Sequence, residues 1–87
     1  MSREYRIRLL NRVYILPQGD TTIGRDPTCH IHLDGDLVSR RHALLSIGEK
    51  GALLADAGSE NGVFVNGVKL ETPIELKHDD QVRIAFF

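Results

Sequence analysis

Val63-Phe64-Val65-Asn66-Gly67-Val68-Lys69-Leu70 decides the fold. Two runs of strand-forming residues, Val63–Val65 and Val68–Leu70, meet at Asn66-Gly67. Asn and Gly are the residues that tolerate positive φ at both central positions of a type I′ turn, whose twist matches that of the strands it joins. The segment predicts a tight β-hairpin.

The same grammar extends in both directions. Upstream, His42–Ile47 and Ala52–Ala55 flank Gly48-Glu49-Lys50-Gly51, a second hairpin loop. Thr21–Ile23 forms a short strand ending at Gly24. Ile31 with Leu33 marks another brief strand, between the Asp26-Pro27-Thr28 loop and the Asp34-Gly35-Asp36 turn. At the N-terminus Tyr5, Ile7 and Leu9 alternate with Arg6, Arg8 and Leu10, the period-2 pattern of a strand with one wet face. Asn11-Arg12 predicts a turn into Val13–Leu16, and Pro17-Gln18-Gly19-Asp20 predicts a break in pairing. Downstream, Ile74–Leu76 and Val82–Phe87 close the chain. Turns recur every several residues and no stretch keeps a 3.6-residue period. The expectation is an all-β sandwich of two mainly antiparallel sheets.

The chain has 87 residues, read as one domain, 1–87, whether whole or excised from something longer. A chain this size buries only about 60% of its unfolded surface, so its stability margin is thin, though it can fold alone. A net charge of −1 argues against bulk attraction to nucleic acid. No apolar run approaches the ~20 residues that span a bilayer. Residues 1–4 lead straight into an alternating segment without the apolar core of a signal peptide. With a single cysteine, Cys29, no intrachain disulfide forms. A monomeric, cytoplasmic domain with no membrane or nucleic-acid partner is expected.

Four short elements remain: Gly24-Arg25, Ser39-Arg40-Arg41-His42, Asn61-Gly62 and Asn66-Gly67. Each is commonplace alone. Together they bring arginine, serine and asparagine to strand ends. A guanidinium offers a fixed fork of donors that fits phosphate oxygens. A serine hydroxyl adds a donor, and an asparagine amide both donates and accepts, as a neighbouring backbone would. Alternation sends Arg41 to the other face from Arg40, where it is a solvated charge.

In order and spacing these elements resemble the forkhead-associated (FHA) domain over about residues 5 to 85. The resemblance implies a β-sandwich with binding loops at one end and a phosphothreonine-dependent peptide-binding module, an adaptor in Ser/Thr kinase signalling. Its partner would be a phosphothreonine-containing protein marked by an upstream kinase, with no cofactor. It assigns ligand contact to Arg25, Ser39, Arg40 and Asn61. Gly24, His42, Gly62, Asn66 and Gly67 become structural support, with His42 bracing the loops by hydrogen bonding. Glu60 is a candidate contact and a departure: the family often has threonine or another small residue there, and a carboxylate beside a phosphate is repulsive. Two ways of relieving it follow, an outward-pointing side chain or a pair with Arg40. Asp79-Asp80 stands where the family commonly has Gly-Asp. Phe86-Phe87 ends the chain where resembling domains carry a further strand, so Val82–Phe87 either closes the sheet alone or belongs to a cut chain.

Other chemistries fit less well. His30-x-His32 is half a metal site, but no third ligand has the spacing and Cys29 lies on the neighbouring face. Ser39 and His42 lack a nucleophile–base arrangement, because strand alternation points His42 away from Ser39, so no enzyme is expected. The alternative function is a phosphate-independent FHA-like scaffold working through surface or strand-edge contacts.

Overall fold

Ten strands and no helix make up residues 4–87, the part of the chain described by the computed structural model. Strands β1 (Tyr5–Leu9) and β2 (Arg12–Leu16) form an antiparallel hairpin. Strands β3 (Gly19–Gly24), β4 (Ile31–His32), β5 (Ala43–Gly48), β6 (Gly51–Asp56) and β9 (Ile74–Glu75) build a five-stranded sheet in the order β4-β3-β5-β6-β9. Strands β7 (Val63–Val65), β8 (Val68–Lys69) and β10 (Val82–Ile84) form a third sheet, ordered β10-β7-β8. Every pairing is antiparallel except β3 with β4.

The two smaller sheets lie side by side through β1 and β10 and face the five-stranded sheet across one core. Ile7, Leu9, Val63 and Ile84 fill it from one side, and Ile23, Leu45 and Leu54 from the other, all buried. Alternation puts them there: in β5, Ala43, Leu45 and Ile47 point inward while Leu44 and Ser46 lie nearer the surface. Each such aliphatic side chain stabilises the fold by about 1.5–3 kcal/mol.

The Asn66-Gly67 turn takes φ of 52° and 82°, the double left-handed geometry of a type I′ hairpin. Asn66 does more than turn. Its amide donates to Asp80 Oδ1 (3.0 Å) and accepts from the Gln81 N–H (2.9 Å), tying the hairpin to the entry of β10.

Several boundaries differ from the sequence pattern. The first turn is Leu10-Asn11, not Asn11-Arg12, because Leu9 pairs with Arg12 and keeps that arginine in the ladder. Leu10 therefore takes φ of 60°, an unusual value for an exposed leucine. Only Pro17-Gln18 interrupts the chain before β3. Gly19 and Asp20 pair with Ile47 and Ser46, and the Ser46 hydroxyl donates to Asp20 at 3.0 Å. Regular pairing in the last segment stops at Ile84. Ala85 turns at φ of 54°, the Phe87 N–H returns to the Ile84 carbonyl, and the Phe87 ring packs beside Gly35 while Phe86 stays 75% exposed.

Candidate functional site

Beyond the end of β3 the chain stays paired with the segment that leads into β5. The Arg25 N–H bonds the Ser39 carbonyl (3.0 Å), the Asp26 N–H bonds the Arg40 carbonyl (3.1 Å), and the His42 N–H bonds the Ile23 carbonyl (2.8 Å). Gly24 permits this approach. A Cβ there would overlap the Arg40 carbonyl oxygen and stand 2.8 Å from its carbon. Arg25 and Ser39 are thus fixed by backbone bonds, at the end of the sandwich where β3 and β6 finish.

His42 joins this segment to the loop before β7. Its ring is fully buried; Nδ1 is 3.0 Å from the Ser39 N–H and Nε2 2.8 Å from the Gly62 carbonyl. A backbone N–H needs a lone pair, so Nδ1 accepts and the proton sits on Nε2, which donates to the carbonyl. The expectation that His42 points away from Ser39 is corrected. Residues 39–42 bend rather than extend, so strand alternation does not govern them.

Two further bonds cross the same gap. The Glu60 N–H donates to Ser39 Oγ (3.1 Å), and Asn61 Nδ2 donates to the Leu37 carbonyl (2.9 Å). The asparagine loop is itself framed by Asp56, which accepts from the Gly58 N–H, the Ser59 N–H and the Ser59 hydroxyl at 2.7–3.0 Å. Partial burial pushes the Asp56 carboxyl up, but those Ser59 and Gly58 bonds outweigh it and hold the group below its ordinary value. Sequence reading passed over this frame, although Asp-x-Gly-Ser is an Asx-turn signature.

Arg25, Ser39, Arg40 and Asn61 come from three loops and line one shallow depression of about 320 Å³. Asp36, Leu37 and Glu60 share its rim. Arg25 Nε donates to the Val38 carbonyl (3.0 Å), which steadies the guanidinium while its terminal nitrogens meet no carboxylate among the described residues. The Ser39 hydroxyl, already accepting from Glu60, keeps its own proton to donate. Asn61 keeps its amide oxygen and a second N–H.

Arg40 reaches Asp26 Oδ2 at 3.4 Å with its side chain 76% exposed, a loose pair. Asp26, and not Glu60, is therefore its partner. The Thr28 N–H and hydroxyl, and then Arg40, hold the Asp26 carboxyl below its ordinary value. The Glu60 side chain is exposed, without an ion pair among the described residues. Arg41 is exposed, and Asn66-Gly67 lies outside the depression. Gly62 is buried at φ of 85°, and a Cβ there would press on the Lys69 side chain at 2.8 Å. His30 is taken up by Thr22, whose N–H and hydroxyl lie 3.0 and 3.1 Å from Nδ1, and the buried Cys29 thiol faces the Arg40 carbonyl. Among the described residues no group of three or more His, Cys, Asp or Glu converges.

The family model of the FHA domain matches residues 21–85, leaving the β1–β2 hairpin outside. An oxoglutarate dehydrogenase inhibitor of Corynebacterium efficiens is 39% identical over 74 residues, covering 85% of this chain and 51% of that protein. The chain spans about half the length of the oxoglutarate dehydrogenase inhibitors it matches. Among solved structures, the FhaA FHA domain complexed with the intracellular domain of Rv3910 superposes with a TM-score of 0.81 at 34% identity, covering 88% of this chain and 84% of that one. Mycobacterium tuberculosis EmbR in complex with a low-affinity phosphopeptide gives 0.83 at 32% identity, covering 94% of this chain and 21% of EmbR. The chain belongs to the FHA domain family.

Proposed function

We propose that this domain binds protein segments carrying phosphothreonine, gripping the phosphate with Arg25, Ser39 and Arg40 and the adjoining peptide backbone with Asn61. It acts as a non-catalytic adaptor whose partner is marked by an upstream Ser/Thr kinase. The observation that carries this is the convergence, in one depression, of donors from three loops, of which the Arg25 terminal nitrogens, the Ser39 proton and one Asn61 N–H have no partner among the described residues. A phosphoresidue brings about −1.5 to −2 charge and three acceptor oxygens, which matches that donor set. EmbR is described with a phosphopeptide and FhaA with an intracellular domain, which supports the same class of partner.

Catalysis is disfavoured by the state of His42. Both ring nitrogens serve backbone groups, so His42 is not free to act as a base toward the Ser39 hydroxyl. A cytoplasmic monomer is the setting we infer, in keeping with one buried free cysteine and a net charge of −1.

Calorimetric titration with matched phosphothreonine, phosphoserine, glutamate and unphosphorylated peptides tests the proposal. Phosphothreonine should bind best. Phosphoserine lacks one methyl, worth about 0.8 kcal/mol when buried. Glutamate should fail, since one charge and two oxygens cannot satisfy Arg25, Ser39 and Arg40 together. A second reading, a phosphate-independent scaffold, is favoured by β2. Its outer edge pairs with nothing among the described residues, and Val13 and Ile15 are exposed on it. Equal binding by all four peptides would establish that reading instead.

A further inference from the structure

The donor site carries two carboxylates as well as two guanidinium groups. Glu60 and Asp36 both line the depression, both are exposed, and neither forms an ion pair among the described residues. Their placement is fixed by backbone. The Glu60 N–H is bonded to Ser39 Oγ, so residue 60 is held against the serine loop. Asp36 precedes Leu37, whose carbonyl receives the Asn61 amide, and Glu60 precedes Asn61. The two acids therefore flank the bond that joins the loops.

Arg40, which would be the natural neutraliser, pairs instead with Asp26 at 3.4 Å. A carboxylate left unpaired beside a phosphate site weakens anion binding. The same group becomes an attraction when the ligand carries a cation next to its phosphate.

We propose that Glu60, assisted by Asp36, makes this domain selective for phosphothreonine segments with a lysine or arginine close to the phosphorylated residue, and against acidic ones. The inference rests on the phosphothreonine-binding function proposed above. Asn61 lays the peptide backbone along the rim, and a long basic side chain from a neighbouring position reaches the Glu60 carboxylate while the phosphate faces Arg25. A rim pair in water shifts affinity by a factor of roughly 1.4 to 5. Attraction to lysine and repulsion of glutamate add in free energy, so the basic peptide should bind about twofold to twenty-five-fold more tightly than the acidic one. The difference should shrink as salt rises.

The probes are synthetic alanine-based phosphothreonine peptides in which each of the three positions on either side is replaced in turn by Lys, Ala or Glu. Each is titrated by fluorescence anisotropy at low and at about 150 mM salt, with its unphosphorylated counterpart. The full chain is compared with Glu60→Gln, Glu60→Lys and Asp36→Asn. Glu60→Gln keeps the backbone N–H that holds Ser39, so it folds normally and should narrow the lysine-over-glutamate ratio; Asp36→Asn should narrow it less. Glu60→Lys should invert it. Phosphate-dependent binding with equal affinity for Lys, Ala and Glu peptides overturns this inference and leaves the phosphothreonine function standing, as does a lysine preference unchanged in both Glu60 variants. Absence of any phosphate dependence overturns both.

Discussion

In a Gly24→Ala variant the new Cβ would overlap the Arg40 carbonyl oxygen and stand 2.8 Å from its carbon and 3.1 Å from the Arg41 Cα. All three neighbours are backbone, so no side chain can rotate away. Carbon atoms rest at about 3.5–4.0 Å, and the two segments must part by about 1 Å. Two bonds run on either side of the contact, Arg25 N–H to Ser39 O and Asp26 N–H to Arg40 O, at 3.0 and 3.1 Å. Losing them costs about 0.5–1.5 kcal/mol each, and overpacking adds about 1–3 kcal/mol. The total, about 2–6 kcal/mol, is a large share of the roughly 4–13 kcal/mol that a domain of this size holds. At about 4–8 °C per kcal/mol, the midpoint should fall by at least ~8 °C. Thermal and urea unfolding followed by circular dichroism measure this. Phosphopeptide affinity, corrected for the folded fraction, should fall as well, because the same bonds set Arg25 and Ser39. A midpoint within about 2 °C of the parent would refute the close-approach account of Gly24.

Arg25→Ala should separate the two effects. It removes a charge-assisted contact worth about 1.5–3 kcal/mol of binding, a loss of roughly tenfold or more, while stability changes by no more than the single Nε bond to Val38, about 1 kcal/mol; full affinity in a folded variant would remove Arg25 from the site. Thr21 is buried with an unpartnered hydroxyl, so Thr21→Val should stabilise by about 1 kcal/mol, read as a higher urea midpoint with binding unchanged; a lower midpoint would reveal a partner for the hydroxyl. Asp79 holds φ of 70° with its side chain 88% exposed, and Asp79→Gly should relieve that left-handed geometry for a net gain of about 0.5 kcal/mol; a loss would show that the carboxylate has a role. Asp26, Asp56 and Asp80 sit below the ordinary carboxylate value of 3.8, Asp80 through the Lys77 N–H and then the Asn66 amide. Depressed folded-state values give stability that is complete above the unfolded value and lost as pH falls through the folded ones. The midpoint should therefore drop from about pH 4 downward, and a flat profile from pH 5 to 2 would contradict these assignments.

What the sequence displayed was local chemistry, and what it concealed was approach between segments. Asn66-Gly67 announces its turn because the requirement lies within the two residues. Alternation likewise places Leu45 and Leu54 in the core. Gly24 carries no such mark, since its need for a missing Cβ comes from a carbonyl sixteen residues on. Pro17-Gln18-Gly19-Asp20 reads as a break by composition, yet pairing with Ile47 and Ser46 outweighs turn preference at Gly19 and Asp20. Leu10 is the reverse case: an apolar residue placed left-handed by the register of β1 with β2. Asp79-Asp80 was visible as a departure from the family's Gly-Asp, and its meaning is conformational: Asp79 holds the left-handed φ that glycine takes without strain, while Asp80 accepts from the Lys77 N–H and the Asn66 amide. Arg40 was legible as a rim cation, but its choice of Asp26 over Glu60 depends on loop geometry that no spacing encodes.

The arrangement of His42, Glu60 and Asn61 explains how so small a domain can present an ordered rim. Ser39 and Asn61 are separated by two strands, and loops of this kind would ordinarily sample many relative positions. Three links cross between them: the His42 ring, bonded to both the Ser39 N–H and the Gly62 carbonyl, the Glu60 N–H to Ser39 Oγ, and the Asn61 amide to the Leu37 carbonyl. Each involves at least one backbone group, so each fixes chain position and not only a side-chain rotamer. The ordering entropy is consequently lost on folding, when the buried core can offset it, and not on binding, when a short peptide could not. The same bonds leave the Ser39 proton, the Arg25 terminal nitrogens and part of the Asn61 amide directed outward. The groups that tie the loops together thus keep capacity for a ligand: Ser39 Oγ accepts from Glu60 and retains its proton, and Asn61 Nδ2 gives one N–H to Leu37 and retains the other.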